Sequence, residues 1–100
     1  MDNERNIEQY FVTKVRAAGG WPVKLTSQGT AGMPDRMVLW KGGKASFVEL
    51  KRPGGKPRPL QYRQMDKLVA LGFQVYILST REGVDNFIEI APGKKGGDAE

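Results

Sequence analysis

Two apolar runs, at residues 36–40 and 45–50, are separated only by Lys41-Gly42-Gly43-Lys44. A link that short cannot carry a crossover, and its central Gly-Gly suits the positive φ angles of a tight reversal. The runs therefore pair as an antiparallel hairpin, and the rest of the chain must be built round it. Upstream, Ile7, Tyr10, Phe11, Val15 and Ala18 recur at helical spacing across residues 4–18, and Gly19-Gly20 stops the helix. Residues 21–25 read as a short extended segment in which Pro22 marks a strand start or a sheet edge. Residues 27–32 are a loop of small residues punctuated by Gly29 and Gly32.

Downstream of the hairpin, residues 52–57 form a basic loop rich in Pro and Gly. Pro59 suits the first turn of a second helix, which runs to about Leu71 and ends at Gly72. Residues 73–78 are apolar without polar alternation, which predicts a strand buried on both faces. Ser79 or Thr80 can cap a last helix holding Val84, Phe87 and Ile88, but Gly83 lies inside it and residues 87–90 also fit a strand. The order α-β-β-β-α-β-α predicts an α/β fold: a small mixed sheet of about four strands flanked by helices. With 100 residues in all, one domain over residues 1–92 and a flexible Gly/Lys tail over 93–100 are expected. A core of that size is modest, and an oligomer would cover what it leaves exposed.

Composition narrows the chemistry. The chain has no cysteine and no histidine, so disulfides, thiolate zinc sites, imidazole bases and Ser-His triads are all excluded. Catalysis must use carboxylates, lysines, hydroxyls and bound metal. No apolar run approaches the roughly 20 residues of a membrane helix. The polar start Met-Asp-Asn-Glu-Arg is unlike a signal peptide, so a cytoplasmic protein is expected. Sixteen Lys and Arg against 11 Asp and Glu give a net charge of +5, which points to a polyanionic partner. Much of the excess lies between Lys51 and Lys67, where Lys51, Arg52, Lys56, Arg58, Arg63 and Lys67 face only Asp66.

Asp35, Glu49 and Lys51 need explaining together. Asp35 follows Gly32-Met33-Pro34 and opens the first hairpin strand, while Glu49 and Lys51 leave the second. Strand side chains alternate, so Glu49 and Lys51 share a face and Leu50 takes the other; a short hairpin can set Asp35 beside Glu49. Taken singly, these are an ordinary i, i+2 ion pair and a Pro-Asp turn. Their joint spacing is what singles them out. Glu8 falls between Val12 and Val15 on the apolar side of the first helix, either as an inward carboxylate that needs a partner or as the stripe's solvated edge. Gln61 and Gln64 lie close to Met65 and Leu68 on the inward face of the second helix, where Gln61 serves as a backbone cap or as a site group. Lys56, Arg58 and Arg63 are candidate phosphate contacts or a solvated basic loop. Lys24 and Ser27 are further candidates to line the site, and Trp21 and Trp40 read as core or dimer-contact residues.

With Glu8, Gly32-Met33-Pro34-Asp35, Val48-Glu49-Leu50-Lys51 and Pro59-Leu60-Gln61 in this order, the chain resembles the virus-type replication-repair nuclease (VRR-NUC) family, a branch of the PD-(D/E)xK nucleases. The match runs from Ile7 to about Leu78; Pro59-Leu60-Gln61 departs from the Ser or Thr cap of many members, and the residues beyond carry little family signal. The resemblance implies a restriction-endonuclease-like core and a phosphodiester hydrolase yielding a 5′-phosphate and a 3′-hydroxyl. It implies Mg²⁺ or Mn²⁺ held by Asp35, Glu49 and the Leu50 backbone carbonyl, with Glu8 completing the site. It further implies that Lys51 acts on the attacking water and that Gln61 orients Lys51 or the water. Stand-alone members of this kind, many from phages or prophages, are associated with branched DNA such as four-way (Holliday) junctions. A homodimer is expected because two symmetric cuts need two sites. The alternatives are a monomeric flap or single-strand nuclease, or a silent DNA-binding module that should have lost Asp35, Glu49 or Lys51.

Overall fold

The computed structural model describes residues 2–26 and 29–91. Helix α1 (Glu4–Ala17) starts at Asn3, whose side-chain oxygen accepts from the Asn6 N–H at 2.9 Å, and it buries Ile7, Phe11 and Val15 along one stripe. Three strands follow: β1 (Trp21–Lys24), β2 (Arg36–Trp40) and β3 (Lys44–Leu50). The β2–β3 turn is the expected one, with Gly42 and Gly43 at φ 89° and 78°, conformations that any Cβ would disfavour. Helix α2 (Pro59–Ala70) crosses over to β4 (Gln74–Leu78), and α3 (Arg81–Ile90) closes the fold. Thr80 caps α3 by accepting from the Gly83 N–H at 2.9 Å. This fixes residues 87–90 as helix rather than strand.

The sheet has the order β1-β2-β3-β4, antiparallel except for the parallel β3–β4 pair. That mixed pattern follows from connection length: a three-residue turn joins β2 to β3, whereas β3 reaches β4 through α2, as a parallel pair requires. One face of the sheet meets α1 and α3. There Val38, Trp40, Val48, Leu50 and Leu78 pack with Ile7, Phe11, Val84 and Phe87 in the main core. Phe87 lies at its centre, its ring within 4.9–6.1 Å of those of Tyr76, Phe11 and Trp40. Trp40 is thus a core residue, and its indole N–H donates to Ser46 Oγ at 3.3 Å.

The other face carries Phe47, Glu49 and α2. Here the structure corrects one expectation: β4 is not buried on both faces, and Ile77 is 43% exposed. The strand lies at the sheet's edge and α2 shields it only in part. Trp21 is likewise no core residue, being 64% exposed on the opposite edge. The expected flexible tail and Ser27 lie outside the described residues.

Candidate active site

The strand register assembles the site. Arg36 pairs with Val48, so Asp35 and Glu49 come next to each other at the same end of the hairpin, on the α2 face. Two hydrogen bonds lock them: the Asp35 N–H donates to Glu49 Oε1 at 3.2 Å, and the Leu50 N–H donates to Asp35 Oδ2 at 3.0 Å. Pro34, fully buried, fixes the approach of the loop to Asp35. Gly32, at φ 84°, bends that loop towards α2, where Gln64 Nε2 donates to the Ala31 carbonyl at 3.0 Å.

Glu49 is 1% exposed, yet it is an acid with three partners. Lys51 Nζ lies 2.9 Å from its Oε2, and Gln61 Nε2 donates to the same oxygen at 2.7 Å. Burial pushes the Glu49 carboxyl up from its ordinary value; the Lys51 hydrogen bond opposes that rise, and the neighbouring Asp35 charge adds to it. Gln61 makes the backbone cap contact and also reaches the buried acid. Its Oε1 accepts from the Arg58 N–H at 2.8 Å, capping α2, while its amide N–H reaches Glu49. The start of α2 is thereby tied to the buried carboxylate.

A cleft of about 400 Å³ opens beside this cluster, lined in part by Asp35, Gln61, Arg58, Met33, Leu25 and Leu60. Of the three candidate phosphate contacts, Arg58 is brought to the cleft, whereas Lys56 and Arg63 are exposed and do not line it.

Glu8 lines a different cleft from the one beside Asp35. Arg36, one residue after Asp35, projects to the opposite face of the sheet, and its Nη2 donates to Glu8 Oε2 at 2.7 Å. Its Nη1 donates to the Pro22 carbonyl at 2.8 Å. The inward carboxylate thus has a guanidinium partner, and no group of three or more His, Cys, Asp or Glu side chains suited to a metal forms among the described residues. Lys24 follows Glu8, 3.9 Å away, and lines a separate cleft instead of the one beside Asp35. The role of Arg36 was missed from sequence. Its signal was present, since strand alternation sends it to the α1 face, where Glu8 lacked a partner.

Two carboxylates at one strand end form a hard-oxygen donor set, the type that Mg²⁺ and Mn²⁺ prefer. The fit is electrostatic as well: both causes that raise Glu49, burial and the Asp35 charge, would be relieved by a cation between the two acids.

No family model matches the chain. It is 46% identical over 79 residues to "Putative nuclease p44" of Acyrthosiphon pisum secondary endosymbiont phage 1, an alignment covering 79% of this chain and 85% of that one. A solved structure described as a VRR_NUC domain superposes with a TM-score of 0.81 at 31% identity, covering 88% of this chain and 96% of the other. On sequence and fold together, the chain belongs to the virus-type replication-repair nuclease (VRR-NUC) family.

Proposed function

We propose that the chain is a metal-dependent, structure-selective DNA endonuclease that hydrolyses phosphodiester bonds in branched DNA such as four-way junctions. The observation that carries this reading is the buried Glu49, bonded to Lys51 at 2.9 Å and Gln61 at 2.7 Å and locked to Asp35 at the rim of a cleft. A salt bridge kept only for stability gains little from such burial. A phosphodiester hydrolase gains two anionic oxygens, an ammonium and a fixed amide within one site.

Asp35 and Glu49, with the Leu50 carbonyl, would hold Mg²⁺ or Mn²⁺. When bound, the ion lowers the pKa of water and offsets negative charge on the phosphate. Lys51, held beside Glu49, orients the attacking water and sets positive charge against the phosphorane-like transition state. Gln61 is a positioning residue that fixes the Glu49 carboxylate through α2. Arg58, on the cleft wall, holds a flanking phosphate, and Lys56 and Arg63 extend the positive path along the same loop and helix.

The functional unit is a homodimer. Trp21 pairs with Leu39 and Val23 with Met37, an apolar strip on the α2 face over β1 and β2, while α2 packs chiefly on β4. A second copy would cover that strip and supply the second cutting site that symmetric junction resolution requires. Incubation with supercoiled plasmid, a flap and a four-way junction, with Mg²⁺, Mn²⁺ or EDTA, tests the proposal. Paired, symmetric, metal-dependent nicks in the junction are expected. No cleavage of any DNA would end the nuclease reading, and preferential flap cleavage would end the junction assignment.

A further inference from the structure

Opposite the cutting site, α1 and β1 enclose a second cleft of about 550 Å³, lined by Arg5, Glu8, Gln9, Thr13, Lys24 and Arg36 among others. It holds three cations against one carboxylate, and Arg36 already neutralises that carboxylate at 2.7 Å. Arg5 makes no ion pair among the described residues, and Lys24, 66% exposed, sits at 3.9 Å from Glu8, a distance that spends little of its charge. Donors also outnumber acceptors. Arg36 bonds Pro22 O and Glu8, while its buried Nε has no partner. The cleft contains no aromatic side chain on which a base would stack, so its chemistry suits a phosphate rather than a nucleobase.

Its position matters as much as its charge. Lys24 pairs with Arg36 across the end of the β1–β2 ribbon. The next residues, Leu25 and Asp35, are joined by a 2.8 Å backbone hydrogen bond and line the catalytic cleft. One ribbon end therefore separates the two clefts, with consecutive residues turned to opposite sides. We propose that the α1–β1 cleft is a second nucleic-acid subsite, in which Arg5 and Lys24, backed by the Arg36–Glu8 pair, hold a backbone phosphate of the strand that passes over this ribbon from the cutting site. The inference rests on the nuclease reading for its substrate, but it concerns binding and not cleavage.

The test uses the Asp35→Asn chain, so that binding is measured without turnover. Anisotropy of a labelled four-way junction is followed against salt, with and without Arg5→Ala and Lys24→Ala together. Both side chains are exposed, so the fold should survive, and circular dichroism checks it. The slope of log Kd against log salt should fall by up to about two phosphate equivalents, and Arg5→Lys with Lys24→Arg should restore it. A neutral methylphosphonate placed beside the cut should weaken binding by the Asp35→Asn chain but not by its triple variant. An unchanged slope would overturn the subsite, even if the native chain cleaves junctions well. A chain that binds DNA with the expected slope loss but never cleaves would keep the subsite and sink the nuclease. One that binds no DNA would sink both.

Discussion

At the scale of single residues, Glu49 would concentrate the chemistry of the proposed reaction because it is the buried acid on which an ammonium, an amide and a backbone N–H converge. Asp35→Asn and Glu49→Gln change charge with little change in volume. Each should abolish Mg²⁺-dependent cleavage while circular dichroism and thermal melting report an intact fold. Full activity in either variant would remove that residue from the site. Lys51→Ala acts differently, since an ammonium is not a metal ligand. Its turnover should fall by about 10²–10⁴-fold while calorimetry still finds divalent binding; lost metal affinity with retained turnover would contradict its role. These three residues were legible because a strand period of two and a short hairpin fix their relative faces without any knowledge of packing. Glu8 was legible only as a problem. An inward carboxylate announces that it needs a partner, but whether the partner is a metal or Arg36 depends on tertiary distances that one helix does not encode.

At the scale of elements, the loop before β2 and the first turn of α2 act as one unit. Gln61 caps α2 through the Arg58 N–H and holds Glu49 with its other end, and Gln64 fastens the loop at Ala31. Gly32 permits that approach: a Cβ there would lie 2.7 Å from Leu60 Cγ, at a φ of 84° that L-residues rarely adopt. Gly32→Ala should therefore cost about 1–3 kcal/mol of stability and lower turnover by displacing Pro34 and Asp35, read by urea unfolding and a cleavage assay. A native-like unfolding midpoint would contradict the close approach. On the other side of the sheet, Tyr10 joins α1 to α3 by donating to Asp85 Oδ1 at 2.7 Å. That hydrogen bond, then burial and the Asp85 charge, raise the Tyr10 pKa above its ordinary value. The folded state thus holds the phenolic proton more tightly than the unfolded chain does. The stabilisation is complete below the unfolded pKa near 10 and is lost as pH rises through the folded value. In Tyr10→Phe, the alkaline fall of the melting temperature should flatten in part, with Tyr76, also raised by burial, supplying the remainder. An identical alkaline profile would show that the tie has no energetic weight. The order of all seven elements was readable from periodicity, caps and breakers. The exposure of β4 was not, because an apolar run states that a strand can be buried and says nothing about which neighbours arrive to bury it.

At the scale of the molecule, charge and uncovered surface decide how substrate and partner are met. The excess of cations between Lys51 and Lys67 should steer DNA to the α2 side. Replacing Lys56, Arg58 and Arg63 together by Ala should flatten the salt dependence of binding by up to about three phosphate equivalents; an unchanged slope would leave them a solvated loop. Uncovered surface bears on oligomerisation. The sequence suggested both tryptophans as core or contact residues, and the fold divides them: Trp40 packs near Phe87 in the core, 4% exposed, while Trp21 stands 64% exposed on edge strand β1. An edge strand offers unpaired backbone groups, and one that also presents a large aromatic side chain is a natural seat for a second copy. A specific interface buries about 800 Å² per partner, so the Trp21–Leu39 and Val23–Met37 strip would form its apolar centre, with polar residues round it. Light scattering at micromolar concentration should accordingly give twice the chain mass of 11.1 kDa. Trp21→Glu should return the protein to monomer by placing a charge at that centre, with little effect on the fold because the side chain is already in solvent. Junction cleavage by this variant should become unpaired, one nick at a time. A native chain that stays at monomer mass would remove the two-fold geometry on which the proposed preference for four-way junctions over flaps depends.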